Sequence, residues 1–219
     1  MTILTSNDEA QAWLAALPGV DGPAIDRLER LVILLTEENA RQNLVSTSSL
    51  ERVWLRHIAD SAQLLTHVPR ETPGPWMDLG SGAGFPGLVI AALRPDCEVV
   101  LVESRTRRIE WLGRAAESLG LASVRVVGAR LEMIESFPAA VISARAFAPL
   151  ERLLALSARF STSDTIWLLP KGRSARDEVE QLKGWSHRFH VEHSLTDAEA
   201  GVIVGQVMGR VSGTKGRKR

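Results

Sequence analysis

Tyrosine is absent from this chain of 219 residues, and cysteine occurs only once, at Cys97. A single cysteine excludes an internal disulfide, which favours the reducing cytoplasm as the location of the protein. No apolar run reaches the roughly 18 residues of a membrane-spanning helix, and the first residues are too polar for a secretory signal. We therefore expect a cytoplasmic protein that makes no contact with a membrane.

The chain also lacks an excess of charge of either sign, because 26 lysines and arginines balance 26 aspartates and glutamates. Its net charge therefore gives no argument for nucleic acid as a partner. The carboxyl terminus is different, since no acidic residue follows Glu199 while several basic residues do. These are Arg210, Lys215, Arg217, Lys218 and Arg219. We interpret residues 212–219 as a flexible basic tail in which Lys215 and Arg217 could contact phosphates, with a merely solvated terminus as the alternative.

Glycine is concentrated in one segment, residues 78–87, with the sequence DLGSGAGFPG. A short apolar run precedes three glycines at alternate positions, and a helix-like stretch follows over 87–93. The three are Gly80, Gly82 and Gly84. In α/β proteins a strand, a glycine turn and a helix start bind the polar part of a nucleotide-like cofactor, because the backbone can approach the ligand and free amides face it. The segment therefore predicts a cofactor site.

From residue 75 onward, short apolar runs alternate with helix-like stretches. Strands are predicted at 75–79, 98–102, 124–127, 140–143 and 165–169, the last stopped by Pro170, and helices at 86–93, 106–118, 149–158 and 175–183. Two further runs, about 187–194 and 201–211, lie too close together for a helical crossover and predict an antiparallel pair. The pattern indicates an α/β, Rossmann-like sheet over 71–211, mostly parallel with an antiparallel final strand.

The first 70 residues predict a helical cap packed on this α/β domain. Amphipathic spacing predicts one helix over about 23–41 and a second over 50–68. Pro69 and a proline-rich cluster at 73–75 then break the chain. The boundary between the cap and the α/β domain is therefore predicted near residue 70.

The glycine segment matches two cofactor patterns. Residues 82–87 fit the G-x-G-x-x-G fingerprint of dinucleotide-binding proteins, and residues 78–84 fit the acidic-x-G-x-G-x-G pattern of S-adenosylmethionine-dependent methyltransferases. Asp78 favours the second, because an acid at the strand end can meet the ammonium group of that cofactor directly or through water, whereas a pyrophosphate would repel it. A nicotinamide-dependent oxidoreductase stays open as an alternative.

Glu103 closes the predicted second strand, 23 residues after Gly80. A carboxylate at that place in nucleotide-binding folds accepts hydrogen bonds from ribose hydroxyls. Acids also favour helix starts, and the helix predicted over 106–118 begins just after it. Glu103 is therefore a candidate cofactor-binding residue, with helix capping as a second role that can hold at the same time.

Several short motifs accompany the glycine segment. They are Asn43-Leu44, Arg56-His57-Ile58-Ala59-Asp60-Ser61, Arg107-Arg108 with Trp111-Leu112, Ser143-Ala144-Arg145-Ala146, and Lys171-Gly172. With these motifs the chain resembles the RsmG (GidB) family of 16S rRNA guanine-N7 methyltransferases over about residues 39–172. The resemblance implies a Rossmann-like class I methyltransferase fold with an N-terminal helical cap, S-adenosylmethionine as cofactor, and the small ribosomal subunit as partner. It implies guanine 527 of the decoding region, in rRNA numbering, as target.

The resemblance also carries over cofactor-binding residues by position. The candidates in the glycine loop are Asp78, Gly80, Gly82, Gly84 and Phe85, of which the resemblance supplies Gly80 and Phe85. It implies that Leu131 and Glu132 lie beside the adenine and that Arg145 lies at the mouth of the cofactor pocket. Many methyltransferases place an acid directly after the third strand, but the sequence at 128–130 is Gly-Ala-Arg. Backbone groups are therefore an alternative for reading the adenine.

The implied reaction needs little acid–base chemistry. Guanine N7 carries a free lone pair, so its attack on a methyl group releases no proton. We expect in-line transfer without an obligatory general base, with the rate coming from alignment of the two reacting atoms. A chain without tyrosine also lacks the Asn-Pro-Pro-Tyr-type motif of amino-group methyltransferases. Arg145 and Lys171 are the candidate catalytic residues, acting by positioning.

Other polar and aromatic residues have two open roles each. Phe147 could stack on a splayed RNA base, or pack in the core. Lys171 could hold a phosphate or close the turn after the fifth strand. We interpret His57 and Asp60, three residues apart, as hydrogen-bonded groups that dock the cap on the α/β domain.

Three basic residues, Arg105, Arg107 and Arg108, lie near a predicted helix start, where positive charge opposes the helix dipole and suggests a compensating anion. RNA phosphate is one such anion, and Glu103 or Glu110 is the alternative. The scattered histidines show no metal-ligand spacing, so we expect no metal, and we expect a monomer. A small-molecule methyltransferase and a non-catalytic ribosome-binding module remain as rival functions.

Overall fold

The computed structural model describes residues 3–211. Its helices are α1 (Asn7–Ala15), α2 (Gly22–Gln42), α3 (Thr47–Leu50), α4 (Asp60–Ala62), α5 (Gly87–Leu93), α6 (Thr106–Ser118), α7 (Leu150–Ser157) and α8 (Ala175–Glu180). Its strands are β1 (Trp76–Leu79), β2 (Val99–Glu103), β3 (Val124–Gly128), β4 (Val141–Ala144), β5 (Ile166–Lys171), β6 (Trp185–His187), β7 (His190–His193), β8 (Gly201–Gly205) and β9 (Val207–Arg210). A π-helical turn (Trp54–Ala59) precedes α4, and a 3-10 turn (Gln63–His67) follows it.

The large sheet has seven strands in the order β3-β2-β1-β4-β5-β8-β7, and β6 pairs separately with β9. Strands β1 to β5 are parallel, whereas β8 runs antiparallel to both β5 and β7. This confirms the predicted α/β, Rossmann-like sheet with its antiparallel end. Because the chain reverses its direction of travel across the sheet between β1 and β4, ligands are expected at the carboxyl ends of these strands.

Apolar clusters cover both faces of the sheet, because successive residues of a strand point to opposite sides. On one face Trp76 lies in a cluster with Leu31 of α2 and with residues of α5 and α6. On the other face Met77 lies in a cluster with Leu154 of α7 and Trp167 of β5. The apolar stripe of α2 therefore belongs to the same cluster as one face of the sheet.

The single helix predicted over 50–68 is wrong, because this stretch is divided into a π-helical turn, α4 and a 3-10 turn. The cause is Asn7, the first residue of α1. Its side chain donates to the Glu51 carbonyl at 3.0 Å and accepts from the Leu55 amide at 3.2 Å. These two groups would bond to each other in a regular α-helix, so an inserted side chain interrupts the ladder.

The prediction that Pro170 stops the fifth strand is also wrong, since β5 continues to Lys171. The pairing of β5 with β4 ends at Leu168, whereas its pairing with β8 runs on past Pro170, which lies opposite Val202. At Pro170 the strand thus has a neighbour on one side only. Proline is tolerated at such edge positions because no ladder hydrogen bond is required of it on the open side.

The strand predicted over 201–211 is divided into β8 and β9 at Gln206. Gly205 has φ +150°, and a Cβ there would stand 2.3 Å from the Arg188 carbonyl oxygen. The Arg188 amide donates to the Gln206 carbonyl at 2.9 Å. The backbone at Gly205 and Gln206 thus lies close to the backbone at Arg188, and the chain turns there. β9 therefore leaves the large sheet and pairs with β6.

Candidate functional site

The glycine loop between β1 and α5 is held by hydrogen bonds to its own backbone and to α6. Gly80, Gly82 and Gly84 all have positive φ, at 67°, 56° and 101°, conformations that glycine adopts without steric cost. The Ser81 hydroxyl donates to the Asp78 carbonyl at 3.0 Å. The Trp111 indole N–H donates to the Ala83 carbonyl, also at 3.0 Å. The loop is therefore fixed in shape.

Asp78 lies beneath this loop and is fully buried. Its carboxylate accepts from the Gly87 amide at 3.1 Å and from the Ser143 hydroxyl at 2.8 Å. Burial raises the pKa of the carboxyl to about 6, although both hydrogen bonds act in the opposite direction. The contact of Asp78 with the cofactor ammonium, directly or through water, stays a prediction. Its carboxylate ties the first residue of α5 to β4.

Glu103 at the end of β2 connects the glycine loop to the start of α6. One carboxylate oxygen accepts from the Gly82 amide at 3.1 Å, and the other accepts from the amides of Ser104 and Arg105 at 2.7 and 2.9 Å. Arg108 lies 3.8 Å away. Glu103 also lines a cavity, which is compatible with the predicted cofactor contact. The amides that it holds precede the first residue of α6, which has no side-chain cap, so the predicted helix capping by Glu103 is wrong.

A first cavity of about 500 Å³ opens at the carboxyl ends of β1, β2 and β3. The predicted site residues that line it are Gly80, Glu103, Arg108, Leu131, Glu132 and Phe147. Of the other polar lining residues, Arg105 belongs to the basic group predicted near the start of α6, whereas Ser104, Arg130 and Arg152 were not predicted as site residues. Ser104 follows β2 and Arg130 follows β3, so their places after strand ends were the available indication. Arg152 lies on α7 and had none.

Phe85 does not line the first cavity, and the cofactor contact implied for it stays a prediction. Only 3% of the residue is exposed. Its ring stacks on the imidazole of His57, with centroids 4.9 Å apart and planes at 16°. The Arg145 guanidinium lies 5.3 Å from the same ring. Phe85 therefore joins the glycine loop to the helical segment, while Gly82 and Gly84 shape the loop without lining the cavity.

A second cavity of about 360 Å³ lies beside the first, at the carboxyl ends of β4 and β5. Its polar lining residues include Arg56, His57, Asp60, Arg145, Lys171 and Asp197. Ala146, which has φ +52°, lines both cavities. Arg145 thus lines the second cavity and not the first, and its place at the mouth of the cofactor pocket stays a prediction.

Arg145 is the centre of a polar cluster between β4 and the helical segment. It donates to Asp60 and to the Arg56 carbonyl, each at 3.3 Å, and to His57 Nδ1 at 3.2 Å. Burial and then the charge of Arg145 lower the pKa of His57 to about 3. The ring is neutral at pH 7, and since arginine only donates, its Nε2–H donates to Ser49 at 3.0 Å. His57 and Asp60 thus contact the end of β4 through Arg145.

Lys171 fixes the loop between the two cavities. Its ammonium donates to the Ala148 carbonyl at 2.8 Å and to Glu178 at 2.9 Å. Glu178 also accepts from the Leu150 amide at 2.7 Å, at the start of α7. Of the two roles considered for Lys171, these contacts match closing the turn.

Arg107 and Arg108 have separate surroundings. Arg107 donates to the Arg41 carbonyl at 2.9 Å, and with Arg41, Arg105 and Arg108 it lines a shallow depression beside the first cavity. Arg108 has Glu103 within ion-pair distance, which was one of the alternatives to RNA phosphate. Lys215 and Arg217 lie outside the described residues.

No group of three or more His, Cys, Asp and Glu side chains within residues 3–211 could hold a metal ion. No helix in the same range combines the length and apolar character that crossing a membrane requires.

Known proteins resemble this chain in sequence over most of its length. The family model described as GidB, rRNA small subunit methyltransferase G, matches residues 24–198. The ribosomal RNA small subunit methyltransferase G of Novosphingobium aromaticivorans is 59% identical over 211 residues, which are 95% of this chain and 91% of that protein. The protein of the same name from Erythrobacter litoralis is 55% identical over 93% of this chain and 98% of its own.

Solved structures resemble the chain in fold. A mutant of MtNAS in complex with S-adenosylmethionine has a TM-score of 0.58 at 15% identity, covering 93% of this chain and 84% of its own. A SAM-dependent methyltransferase from Aquifex aeolicus has a TM-score of 0.56 at 12% identity, covering 81% of this chain and 98% of its own. At such identities these likenesses show a class I methyltransferase fold and nothing about the substrate.

Proposed function

Because this chain belongs to the ribosomal RNA small subunit methyltransferase G family, we propose that it methylates N7 of guanine 527 in 16S rRNA. Family and fold together make it an S-adenosylmethionine-dependent rRNA methyltransferase. The proposal adds the position of the methyl group, the nucleotide and the way in which transfer occurs.

The observation that carries the proposal is the first cavity with Glu103 on its wall. Its volume lies within the usual range of small-molecule sites, and it opens at the strand ends beside the switch point of the sheet. The lining combines a carboxylate that can accept from hydroxyl groups, the free backbone of Gly80 and the apolar side chain of Leu131. These residues suit the hydroxyls, the chain and the adenine of S-adenosylmethionine, which supplies an electrophilic methyl group when bound.

In this proposal the residues of the chain have binding and positioning roles. Glu103 accepts from the ribose hydroxyls, while Leu131 and Glu132 lie beside the adenine. Gly80 lets the backbone approach the ligand. Asp78 holds the start of α5, and Lys171 fixes the loop that separates the two cavities.

No side chain needs to remove a proton in the proposed reaction. The acceptor N7 has a lone pair and no hydrogen. His57, the obvious general base from its residue type, is neutral but has both ring nitrogens engaged by Arg145 and Ser49. The rate then comes from holding N7 and the methyl group in line, which can supply a large effective molarity.

A surface for the RNA backbone is the depression lined by Arg41, Arg105, Arg107 and Arg108. Arg105 and Arg108 also line the first cavity, so a strand bound in the depression would bring its bases close to the cofactor. Phosphate contacts of this kind supply affinity and orientation without reading sequence.

The test is methyl transfer from labelled S-adenosylmethionine to 30S particles, and to free 16S rRNA, that lack the modification. We expect label in 7-methylguanosine at position 527, and none in RNA that carries adenosine there. Label at another atom or nucleotide would contradict the proposed position. Cofactor binding without transfer to either RNA would instead favour a small-molecule acceptor, and absence of cofactor binding would favour a non-catalytic module.

A further inference from the structure

We propose that the second cavity receives the target guanine and that Asp60 and Arg145, side by side, read its Watson–Crick edge. The inference rests on the proposed function and adds to it the site of the acceptor base and the two residues that select guanine. Its starting observation is the position of the cavity at the carboxyl ends of β4 and β5, next to the first cavity and separated from it by Ala146.

The position follows from the topology of the sheet. The first cavity occupies the strand ends on the β1, β2 and β3 side of the switch point, and the second occupies those on the β4 and β5 side. A cofactor in one and an acceptor in the other would meet across Ala146, which lines both. A base that leaves its stack can enter such a pocket and be read along its edge.

Arg145 and Asp60 retain hydrogen-bonding capacity in the cavity. Within residues 3–211 the Arg145 guanidinium makes three hydrogen bonds, and a group with five N–H donors can make two more. Asp60 accepts from Gln63 and Thr196 on one oxygen and from Arg145 on the other. A carboxylate has about four acceptor positions, so one remains, on the oxygen that accepts from Arg145, and it can accept from the N1–H of guanine.

The pair is held in one orientation and is only partly open to water. The side chain of Arg145 is 24% exposed and that of Asp60 is 20% exposed, so hydrogen bonds from them would be charge-assisted and shielded. Gln63 and Thr196 fix one oxygen of Asp60 at 3.0 and 2.8 Å. His57 fixes Arg145 at 3.2 Å. The donor and the acceptor are therefore set before a ligand arrives.

Guanine matches this order of donor and acceptor, and adenine opposes it. The guanine edge presents an acceptor, O6, beside the N1–H and N2–H donors, which suits a guanidinium next to a carboxylate. Adenine presents an amino donor towards Arg145 and a bare N1 towards Asp60, so both contacts would be lost. Reading this edge leaves N7 without a protein hydrogen bond and free to accept the methyl group. Sites built on such polar pairs reject analogues that leave them unpaired.

The direct test changes the base and keeps the enzyme unchanged. Reconstituted 30S particles carry guanosine, inosine, 2-aminopurine or adenosine at position 527, all of which retain N7. We expect transfer to inosine within about tenfold of guanosine, because inosine keeps O6 and N1–H. Transfer to 2-aminopurine and adenosine should fall by about 100-fold or more. Equal transfer to guanosine and 2-aminopurine would show that Asp60 and Arg145 do not recognise the guanine edge, while the proposed function would stand. No transfer to guanosine would contradict both proposals.

The matching change in the enzyme is Asp60→Asn, with Glu98→Gln as its control. Glu98 pairs with Arg125 at the opposite, amino-terminal edge of the sheet. For Asp60→Asn we expect unchanged S-adenosylmethionine affinity, kcat/KM for guanosine lowered by about 100-fold, and a smaller ratio of guanosine to 2-aminopurine rates. For Glu98→Gln we expect wild-type values. If Asp60→Asn keeps the wild-type ratio, Asp60 does not read the base, whatever happens to stability.

Discussion

At the residue scale, Asp78 and Glu103 both lie near strand ends and look equivalent in the sequence, but the structure gives them different surroundings. Glu103 faces the first cavity, whereas Asp78 is buried under α5 with its carboxylate on Gly87 and Ser143. The difference depends on where the backbone goes after each strand. β1 is followed by a loop that returns over Asp78, and no local pattern in the sequence describes that path.

The burial of Asp78 has a consequence for stability against pH. Its pKa is raised by burial to about 6 in the folded chain, against about 3.9 in an unfolded one. The folded state therefore binds the proton more tightly, and this contribution to stability is complete below pH 4 and is lost as pH rises through about 6. We expect Asp78→Asn to remove this contribution. When the pH is lowered from 7 to 4.5, the free energy of unfolding of the wild type should therefore rise by about 2 kcal/mol relative to that of the variant.

Urea unfolding of both proteins at these two pH values measures the difference. Asparagine has nearly the shape of aspartate and can still accept from the Gly87 amide, so the variant should fold. A constant difference between wild type and variant across this range would show that Asp78 is already ionised in the folded protein at pH 4.5.

At the element scale, periodicity located the strands and helices of the α/β part but not the breaks in the helical segment. The pattern over 50–68 is amphipathic throughout, yet Asn7 inserts its side chain between Glu51 and Leu55. An interruption that comes from a residue more than forty positions away leaves no trace in local spacing. Long-range contacts of this kind explain why the local pattern predicts a single helix over 50–68 where the structure has three short turns.

The glycine loop gives a prediction at this scale, tested with Gly80→Ala against Gly113→Ala. Gly80 has φ +67°, and a Cβ there would stand 2.6 Å from the Phe147 ring. The substitution strains the backbone and displaces a ring on the cavity wall, so we expect S-adenosylmethionine affinity to fall by about tenfold or more and stability by about 1–3 kcal/mol. Titration calorimetry and urea unfolding measure the two effects.

Gly113 is the matched control, because it lies within α6 and a Cβ there meets no atom within 4 Å. Alanine has a higher helix propensity than glycine, so the free energy of unfolding of Gly113→Ala should be about 0.5–1 kcal/mol higher than that of the wild type. The variant should bind the cofactor as the wild type does. Wild-type cofactor affinity in Gly80→Ala would mean that the loop does not approach the ligand.

At the scale of the whole molecule, balanced composition conceals an uneven surface. The net charge is zero, yet Arg41, Arg105, Arg107 and Arg108 surround one depression. Three of these residues follow β2, and Arg41 comes from α2. The sequence showed the cluster at 105–108, but only the fold brings Arg41 to it.

Arg107→Ala tests whether this depression binds phosphates, with Arg125→Ala as the control. Both residues are exposed, but Arg125 pairs with Glu98 near the amino end of β3. In a plot of the logarithm of RNA affinity against the logarithm of salt concentration, we expect the slope to become about one unit shallower in Arg107→Ala. We expect no change of slope in Arg125→Ala. Filter binding to 16S rRNA over a series of salt concentrations measures both. Identical slopes in the two variants would place the RNA backbone elsewhere.

The first cavity could be predicted largely from the sequence, and the second could not. The first is built mainly from residues that directly follow β1, β2 and β3, and strand ends can be recognised from apolar runs. The second joins residues from four separate parts of the chain, among them Asp60, Arg145, Lys171 and Asp197. Asp60 and His57 were assigned only a docking role, because their nearness to Arg145 depends on how the helical segment packs.

The shared apolar cluster also limits how the enzyme can move. Leucines of α2 share one apolar cluster with Trp76 and Leu101 of the sheet, and both α2 and α4 pack on α5, so swinging the helical segment away would expose apolar surface to water at about 25 cal/mol for each Å². If the second cavity receives the base as proposed, we therefore expect its entrance to keep a nearly constant width through each turnover. The RNA would then supply the motion by unstacking its base, and we expect a loop nucleotide to be a far easier substrate than one held in a duplex.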